Sequence, residues 1–114
     1  MPVEPGEQYH EPAKELSPQV RTFARLVKGL IEDTKAINLY EQQMAVEQDQ
    51  KAKAMLQSAQ SHAFTGFASN LEFLLREKPK WKAIMEGVLY QSGDIVDLGK
   101  KAEQKSQQVK GGLA

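Results

Sequence analysis

The scarcity of histidine and cysteine limits the metal and acid–base chemistry that this 114-residue sequence could carry out. The sequence contains two histidines, His10 and His62, and no cysteine, which excludes disulfides, thiolate metal sites and thiol catalysis. Residues 7–10 read Glu-Gln-Tyr-His, a Glu-x-x-His spacing that binds metal when a helix places both side chains on one face. Pro5 precedes this string and Pro12 follows it. Because prolines interrupt regular helices, we interpret the match as accidental.

The other candidates lie in segments with helical periodicity. His62 has no carboxylate three residues away on either side, so we interpret it as a surface or interface residue. Glu32 and Asp33 form an acidic pair with two interpretations that remain open. In the first, the pair belongs to a solvated helix face, on which Lys28 and Glu32 have the i,i+4 spacing of a salt bridge. In the second, one of the two carboxylates points across an interface towards a cation.

Charge and hydropathy restrict the expected partners. Fifteen Lys and Arg residues balance fifteen Asp and Glu residues, whereas a general nucleic-acid binder needs a basic surface that displaces counterions. No apolar run approaches the roughly 18 residues of a membrane span, and residues 1–16 lack the pattern of a signal peptide. No phosphate-binding loop or nucleophile elbow is present. We therefore expect a cytoplasmic domain without nucleic-acid or membrane partners.

Helical spacing predicts two long helices at the centre of the chain. Ser17 is a typical N-cap and Pro18 a typical first helical residue, and apolar residues recur at helical spacing to about residue 47. Asp49 is a candidate cap for a second helix, which is expected to end near residue 78 because Pro79 disfavours a helical residue before it.

The C-terminal third of the sequence predicts shorter elements. A third helix begins at Pro79 and is broken at residues 92–93, and Asp94 caps one last turn that ends at Leu98. Beyond Gly99 the residues are mostly Lys, Gln, Ser and Gly, so we expect this end to fray. The predicted organisation is an extended arm at residues 1–16, a helical domain at 17–99 and a flexible basic tail at 100–114.

Two long amphipathic helices and a short one leave apolar surface uncovered in a single chain. An antiparallel hairpin buries one stripe of each helix and leaves a flank of Phe, Leu and Met in water, which usually marks an interface. Dimerisation into a four-helix bundle covers all four stripes. The alternative is a three-helix monomer in which the third helix folds back onto the hairpin.

Three segments together resemble the encapsulated ferritins, small ferritin-like proteins that are packaged inside encapsulin shells. They are His10-Glu11-Pro12 followed by a helix, residues 36–43 (Ala-Ile-Asn-Leu-Tyr-Glu-Gln-Gln), and residues 71–76 (Leu-Glu-Phe-Leu-Leu-Arg) followed by Trp81. All three fall into one register without gaps, and the resemblance covers about residues 10–92.

The resemblance implies an all-α, ferritin-like fold in which each chain is half of a ferritin. Two long antiparallel helices and a short C-terminal helix form the chain, two chains complete a four-helix bundle, and the pairs assemble into a ring-shaped decamer. This agrees with the hairpin argument. The family's ferroxidase centre lies at the interface between chains, and an encapsulin shell is the implied partner and compartment.

The sequence departs from the family at the iron ligands. The resemblance places Asp33 at the first-helix glutamate, Ala63 at the second-helix glutamate and Gly66 at the histidine. Ala63 and Gly66 carry no donor atom, so we predict no catalytic residue and no resident cofactor. If a metal such as iron binds, we assign it to Asp33, Glu32 and His62.

Three functions are compatible with these observations, in decreasing order of preference. The first is a non-catalytic ferritin-like homo-oligomer that acts as a scaffold or binding module. The second is an iron-binding ferroxidase with a rearranged site formed by Asp33, Glu32, Tyr40 and His62. The third is an unrelated helical interaction module. Iron-dependent oxygen consumption distinguishes the first function from the second. Sedimentation as a monomer at micromolar concentration contradicts both of these ferritin-like functions.

Overall fold

The computed structural model describes residues 9–110, and the regular structure within them is entirely helical. A short 3-10 helix, Ala13–Glu15, precedes four α-helices, which are α1 (Pro18–Val46), α2 (Gln50–Arg76), α3 (Pro79–Val88) and α4 (Ile95–Ser106). The all-α prediction is therefore confirmed. Within these residues, no helix combines the length and the apolar composition that a membrane span requires.

Side chains next to both ends of α1 satisfy backbone amides. The Ser17 hydroxyl accepts a hydrogen bond from the Val20 amide at 3.2 Å, and Pro18 is the first helical residue, as predicted. At the other end, Glu47 leaves the helix, and its carboxylate accepts hydrogen bonds from the amides of Gln48 and Asp49 at 3.1 and 3.2 Å. These bonds stabilise the tight turn that leads into α2.

The chain divides into two compact units, and the boundary falls within α2. One unit ends at Leu71 and the other begins at Glu72. Helix α2 itself ends at Arg76, close to the predicted end at residue 78, since Pro79 disfavours a helical conformation in the residue before it. The boundary predicted at residues 16/17 stays a prediction, whereas a helix of the second unit, α4, crosses the boundary predicted at 99/100.

In the first unit, α1 and α2 form the predicted antiparallel hairpin. Gly29 of α1 lies opposite Asn70 of α2, whereas Ile37, further along α1, accepts a hydrogen bond from Gln60, earlier in α2. No residue of α1 is buried. The hairpin therefore covers one side of α1 and leaves other apolar side chains of this helix partly in water.

In the second unit, α3 and α4 pack closely at two small residues. A β-carbon at Gly87 would lie 2.7 Å from the Ala102 Cβ, so glycine is required for this approach. Ala102 and Ser106, one turn apart on α4, are both buried.

The structure corrects the prediction for the C-terminal residues. We predicted one turn that ends at Leu98 and a frayed, flexible chain beyond Gly99, and this was wrong because α4 continues to Ser106. Its cap was predicted correctly, since the Asp94 carboxylate accepts a hydrogen bond from the Asp97 amide at 3.0 Å. The buried residues of α4, Ala102 and Ser106, are small and stand among lysines and glutamines, so they give little apolar signal in the sequence.

Several predictions concern residues at the ends of the chain. Residues 1–8, which are half of the predicted arm and include Glu7 and Gln8, lie outside the described residues, as do residues 111–114 of the predicted tail. Tyr9 and His10 precede the first helical turn. The described half of the Glu-x-x-His string is thus not helical, which agrees with its interpretation as an accidental match.

Candidate functional site

The centre of the candidate site is the half-buried side chain of Asp33 on α1. Its Oδ2 atom accepts a hydrogen bond from the Asn70 amide nitrogen on α2 at 3.3 Å. A β-carbon at Gly66 would lie 3.3 Å from Asp33 Oδ2 and 3.4 Å from Oδ1. The carboxylate therefore packs directly against the α2 backbone at Gly66, the position at which the resemblance implies a histidine ligand.

A glycine on the opposite helix makes room for the partner of Asp33. A β-carbon at Gly29 would lie 3.2 Å from the Asn70 amide nitrogen, which is tighter than an ordinary contact. Each member of the Asp33–Asn70 pair thus faces a glycine of the other helix. The arrangement satisfies two polar groups that the hairpin partly removes from water, and it fixes the register of α1 against α2.

A second polar contact joins the helices nearer to their connecting turn. The side-chain amide of Gln60, which is buried, donates hydrogen bonds to the Ile37 carbonyl at 3.0 Å and to the Glu41 carboxylate at 2.9 Å. The Thr34 hydroxyl instead donates to carbonyls of its own helix. The interior of the hairpin is therefore held by neutral amides and carboxylates that bond to each other.

The other two residues assigned to a metal lie at the surface. Glu32 is exposed, and its carboxylate is 3.9 Å from the Lys28 ammonium, the spacing predicted for a solvated face. The side chain of His62 is exposed and makes no hydrogen bond or ion pair within residues 9–110. No three His, Asp or Glu side chains of these residues form a group that could hold a metal ion. The assignment of Asp33, Glu32 and His62 stays a prediction, and it requires donors from more than one chain.

Sequence reasoning missed Gln60 and Asn70, although the sequence contains a signal for both. The apolar stripe of α2 includes Leu56, Ala63 and Phe67, and the helical spacing that links these residues also includes positions 60 and 70. A polar residue inside an apolar stripe needs a buried partner. That rule identifies Gln60 and Asn70 as interhelical residues, but it does not identify the partners.

An open groove follows the hairpin beside this polar interior. Its volume is about 380 Å³, and Ile37, Phe64 and Phe67 line it together with Thr34, Asn38, Glu41 and Gln60. Phe64 is 52% exposed. An aromatic side chain held half in water beside other apolar groups is typical of a surface that another molecule covers.

Comparison with known proteins identifies a family and relatives that this chain resembles. A family model described as EncFtn-like matches residues 8–92, which include Asp33, Ala63 and Gly66. A protein of Thermotoga maritima named "Ferritin-like protein" is 27% identical over 108 residues, which are 95% of each chain. The crystal structure of a protein from Nitrosomonas europaea is similar with a TM-score of 0.74 and 29% identity, over 76% of this chain and 96% of that one.

Proposed function

The chain belongs to the EncFtn-like family, and we propose that it is a homo-oligomeric, ferritin-like protein without a working di-iron ferroxidase centre. Its role on this proposal is that of a scaffold or binding module. The observation that carries the proposal is the position of the Asp33 carboxylate, which bonds to Asn70 and packs against Gly66. The one retained candidate ligand is thus engaged within the hairpin.

The donor chemistry supports the proposal. A ferritin-like iron site takes a carboxylate from one helix and a Glu-x-x-His pair from another, because carboxylate and imidazole groups suit iron. Here Ala63 and Gly66 supply a methyl group and a hydrogen atom. Asp33 is the single remaining donor of the three in each chain, so a pair of chains has too few ligands for two bridged irons. The residues present do not fit a di-iron centre.

Iron oxidation tests this part of the proposal. We expect the purified protein to consume oxygen at the buffer rate after addition of Fe(II), and to retain no stoichiometric iron by elemental analysis. The double variant Ala63→Glu/Gly66→His restores the missing donor types, and any oxygen consumption that it gains should be lost when Asp33→Ala is added. Oxygen consumption by the unmodified chain above background, lost in Asp33→Ala, contradicts the proposal.

The oligomeric part of the proposal rests on the uncovered faces of the hairpin. Helix α1 has no buried residue, and the groove at Phe64 is open. A second hairpin over this groove completes a four-helix bundle. The assembly of such pairs into a decameric ring is proposed from the family resemblance. Native mass spectrometry tests this, with a dimer or a multiple of it as the expected result and a monomer at micromolar concentration as the contradicting one.

The cellular setting proposed with this function is an encapsulin shell in the cytoplasm. The support is the family resemblance alone. Co-expression with an encapsulin tests it, since a packaged protein co-purifies with the shell and resists added protease until the shell is opened. Recovery of the chain apart from intact shells contradicts packaging. That result would not bear on the oligomer proposal, which native mass spectrometry tests separately.

A further inference from the structure

A second groove, separate from the one at Phe64, lies between the N-terminal segment and α1. Its volume is about 410 Å³, within the range of roughly 300–1,000 Å³ that is typical of small-molecule sites. Tyr9, His10 and Glu11 line it from the N-terminal segment. Its apolar floor consists of six side chains, namely Leu16, Val20, Phe23, Ala24, Val27 and Ile31.

The floor of this groove is a continuous apolar stripe along α1. Its α1 residues recur at three- and four-residue spacing from Val20 to Ile31, a length of roughly 16 Å along the helix axis. Every one of them remains at least partly exposed, and Ile31 is 46% exposed. An elongated apolar molecule that lies along the stripe would remove this surface from water, which favours binding.

The edge of the groove carries two cations of the same helix. Lys28 and Lys35 both line it and are seven residues, or two helical turns, apart. The Lys28 ammonium is 3.9 Å from Glu32, whereas Lys35 makes no ion pair within residues 9–110. Glu11 is the acidic residue of the lining. Because Glu32 already pairs with Lys28, Lys35 leaves one unbalanced positive charge at the α1 edge of the groove.

We propose that this groove binds an amphipathic anion, a medium-length acyl chain with a carboxylate head. The acyl chain lies on the floor between Val20 and Ile31, and the carboxylate pairs with Lys35, with Lys28 as the nearby second cation. Charge complementarity selects this ligand class, because a cationic amphiphile meets two lysines and an uncharged one leaves the Lys35 ammonium without a counterion. The proposal is independent of the iron chemistry and of the groove at Phe64.

Calorimetric titration of the full-length chain with dodecanoate, below its micelle concentration, tests this proposal. We expect saturable binding of one molecule per chain, weakened at least tenfold by Lys35→Glu, which reverses the charge at the head. Ala24→Trp, which fills the floor, should abolish binding. Lys51→Glu is the matched control, because Lys51 is exposed on α2 and does not line the groove. Circular dichroism confirms that each variant is folded.

Two comparison ligands separate the contributions of chain and charge. Dodecanol and dodecyltrimethylammonium have the same chain length, and we expect both to bind at least tenfold more weakly than dodecanoate. Equal affinity for all three ligands overturns the proposal. So does an equal loss of dodecanoate affinity in Lys51→Glu and Lys35→Glu. Absence of saturable dodecanoate binding also overturns the proposal. If the oligomer of Ala24→Trp then has a lower mass than that of the unmodified chain, the groove is an interface between copies of the chain.

Discussion

At the scale of single residues, Asp33 serves the packing of the hairpin. Its carboxylate is half-buried and accepts the Asn70 amide at 3.3 Å. A β-carbon at position 66 would meet both carboxylate oxygens, so the aspartate occupies space beside α2 that a side chain at this position would need. A residue that the family resemblance assigns to iron thus connects the two helices of one chain.

Removal of the Asn70 side chain tests this role. Asn70→Ala leaves the Asp33 carboxylate without its partner in a half-buried position, and we expect a loss of about 1–2 kcal/mol in the free energy of unfolding. Urea denaturation at fixed protein concentration measures it. Gln57→Ala, at an exposed position of the same helix, is the control and should change stability little. An equal effect of both variants contradicts a specific role for Asn70.

Gly66 gives a second prediction, because two opposing effects meet there. Alanine in place of a helical glycine favours folding by roughly 1 kcal/mol, but its β-carbon would lie 3.3 Å from the Asp33 carboxylate. We expect Gly66→Ala to be more favourable in an Asp33→Ala background than in the native chain, by at least about 0.5 kcal/mol. A double-mutant cycle by urea unfolding measures the difference, and additive effects contradict the packing contact.

These contacts also show where sequence reasoning stopped. The family resemblance singled out Asp33 and the absence of donors at Ala63 and Gly66, because those statements depend only on the alignment of the sequence with the family pattern and on residue type. It did not predict the Asp33–Asn70 bond, which depends on a relative rotation and translation of two helices. The hydrophobic pattern defines that register only to within about a turn, and the glycines at 29 and 66 select it through close contacts.

At the scale of helices, the sequence predicted a helix end correctly where a single capping residue determines it. Ser17 and Asp94 cap α1 and α4 as predicted, since a cap needs only its own side chain and an amide three residues away. The extent of α4 could not be predicted in this way. Its packing on α3 depends on Ala102 meeting Gly87, a contact between small residues that gives no apolar periodicity.

Gly87 and Gly99, which both lie within helices, provide a matched test of that packing. We expect Gly87→Ala to destabilise the protein by roughly 1–3 kcal/mol through overpacking, because its β-carbon would lie 2.7 Å from that of Ala102. Gly99 in α4 has nothing within 4 Å of such a β-carbon, so Gly99→Ala should stabilise by up to about 1 kcal/mol. Thermal unfolding measures both. Stabilisation by both substitutions contradicts close packing of α3 on α4.

At the scale of the whole molecule, the uncovered apolar side chains support the proposal that a second chain covers the hairpin. Long helices are stabilised mainly by packing of an apolar face, yet no residue of α1 is buried within one chain. The groove with Phe64 and Phe67 adjoins the polar interior at Gln60, where a second hairpin would also exclude water from the interhelical hydrogen bonds. This is the face on which we propose that the two chains meet.

A charged residue at the centre of this face should therefore separate the chains without unfolding them. Phe64 is 52% exposed in one chain, so Phe64→Glu leaves the hairpin intact but places a carboxylate in the proposed interface, where its desolvation is unfavourable. We expect the dissociation constant, measured by analytical ultracentrifugation, to rise at least tenfold, with an unchanged helical circular dichroism spectrum. Val46→Glu is the matched control, because Val46 is 79% exposed and does not line the groove. An unchanged mass of Phe64→Glu, or equal dissociation of both variants, places the interface elsewhere.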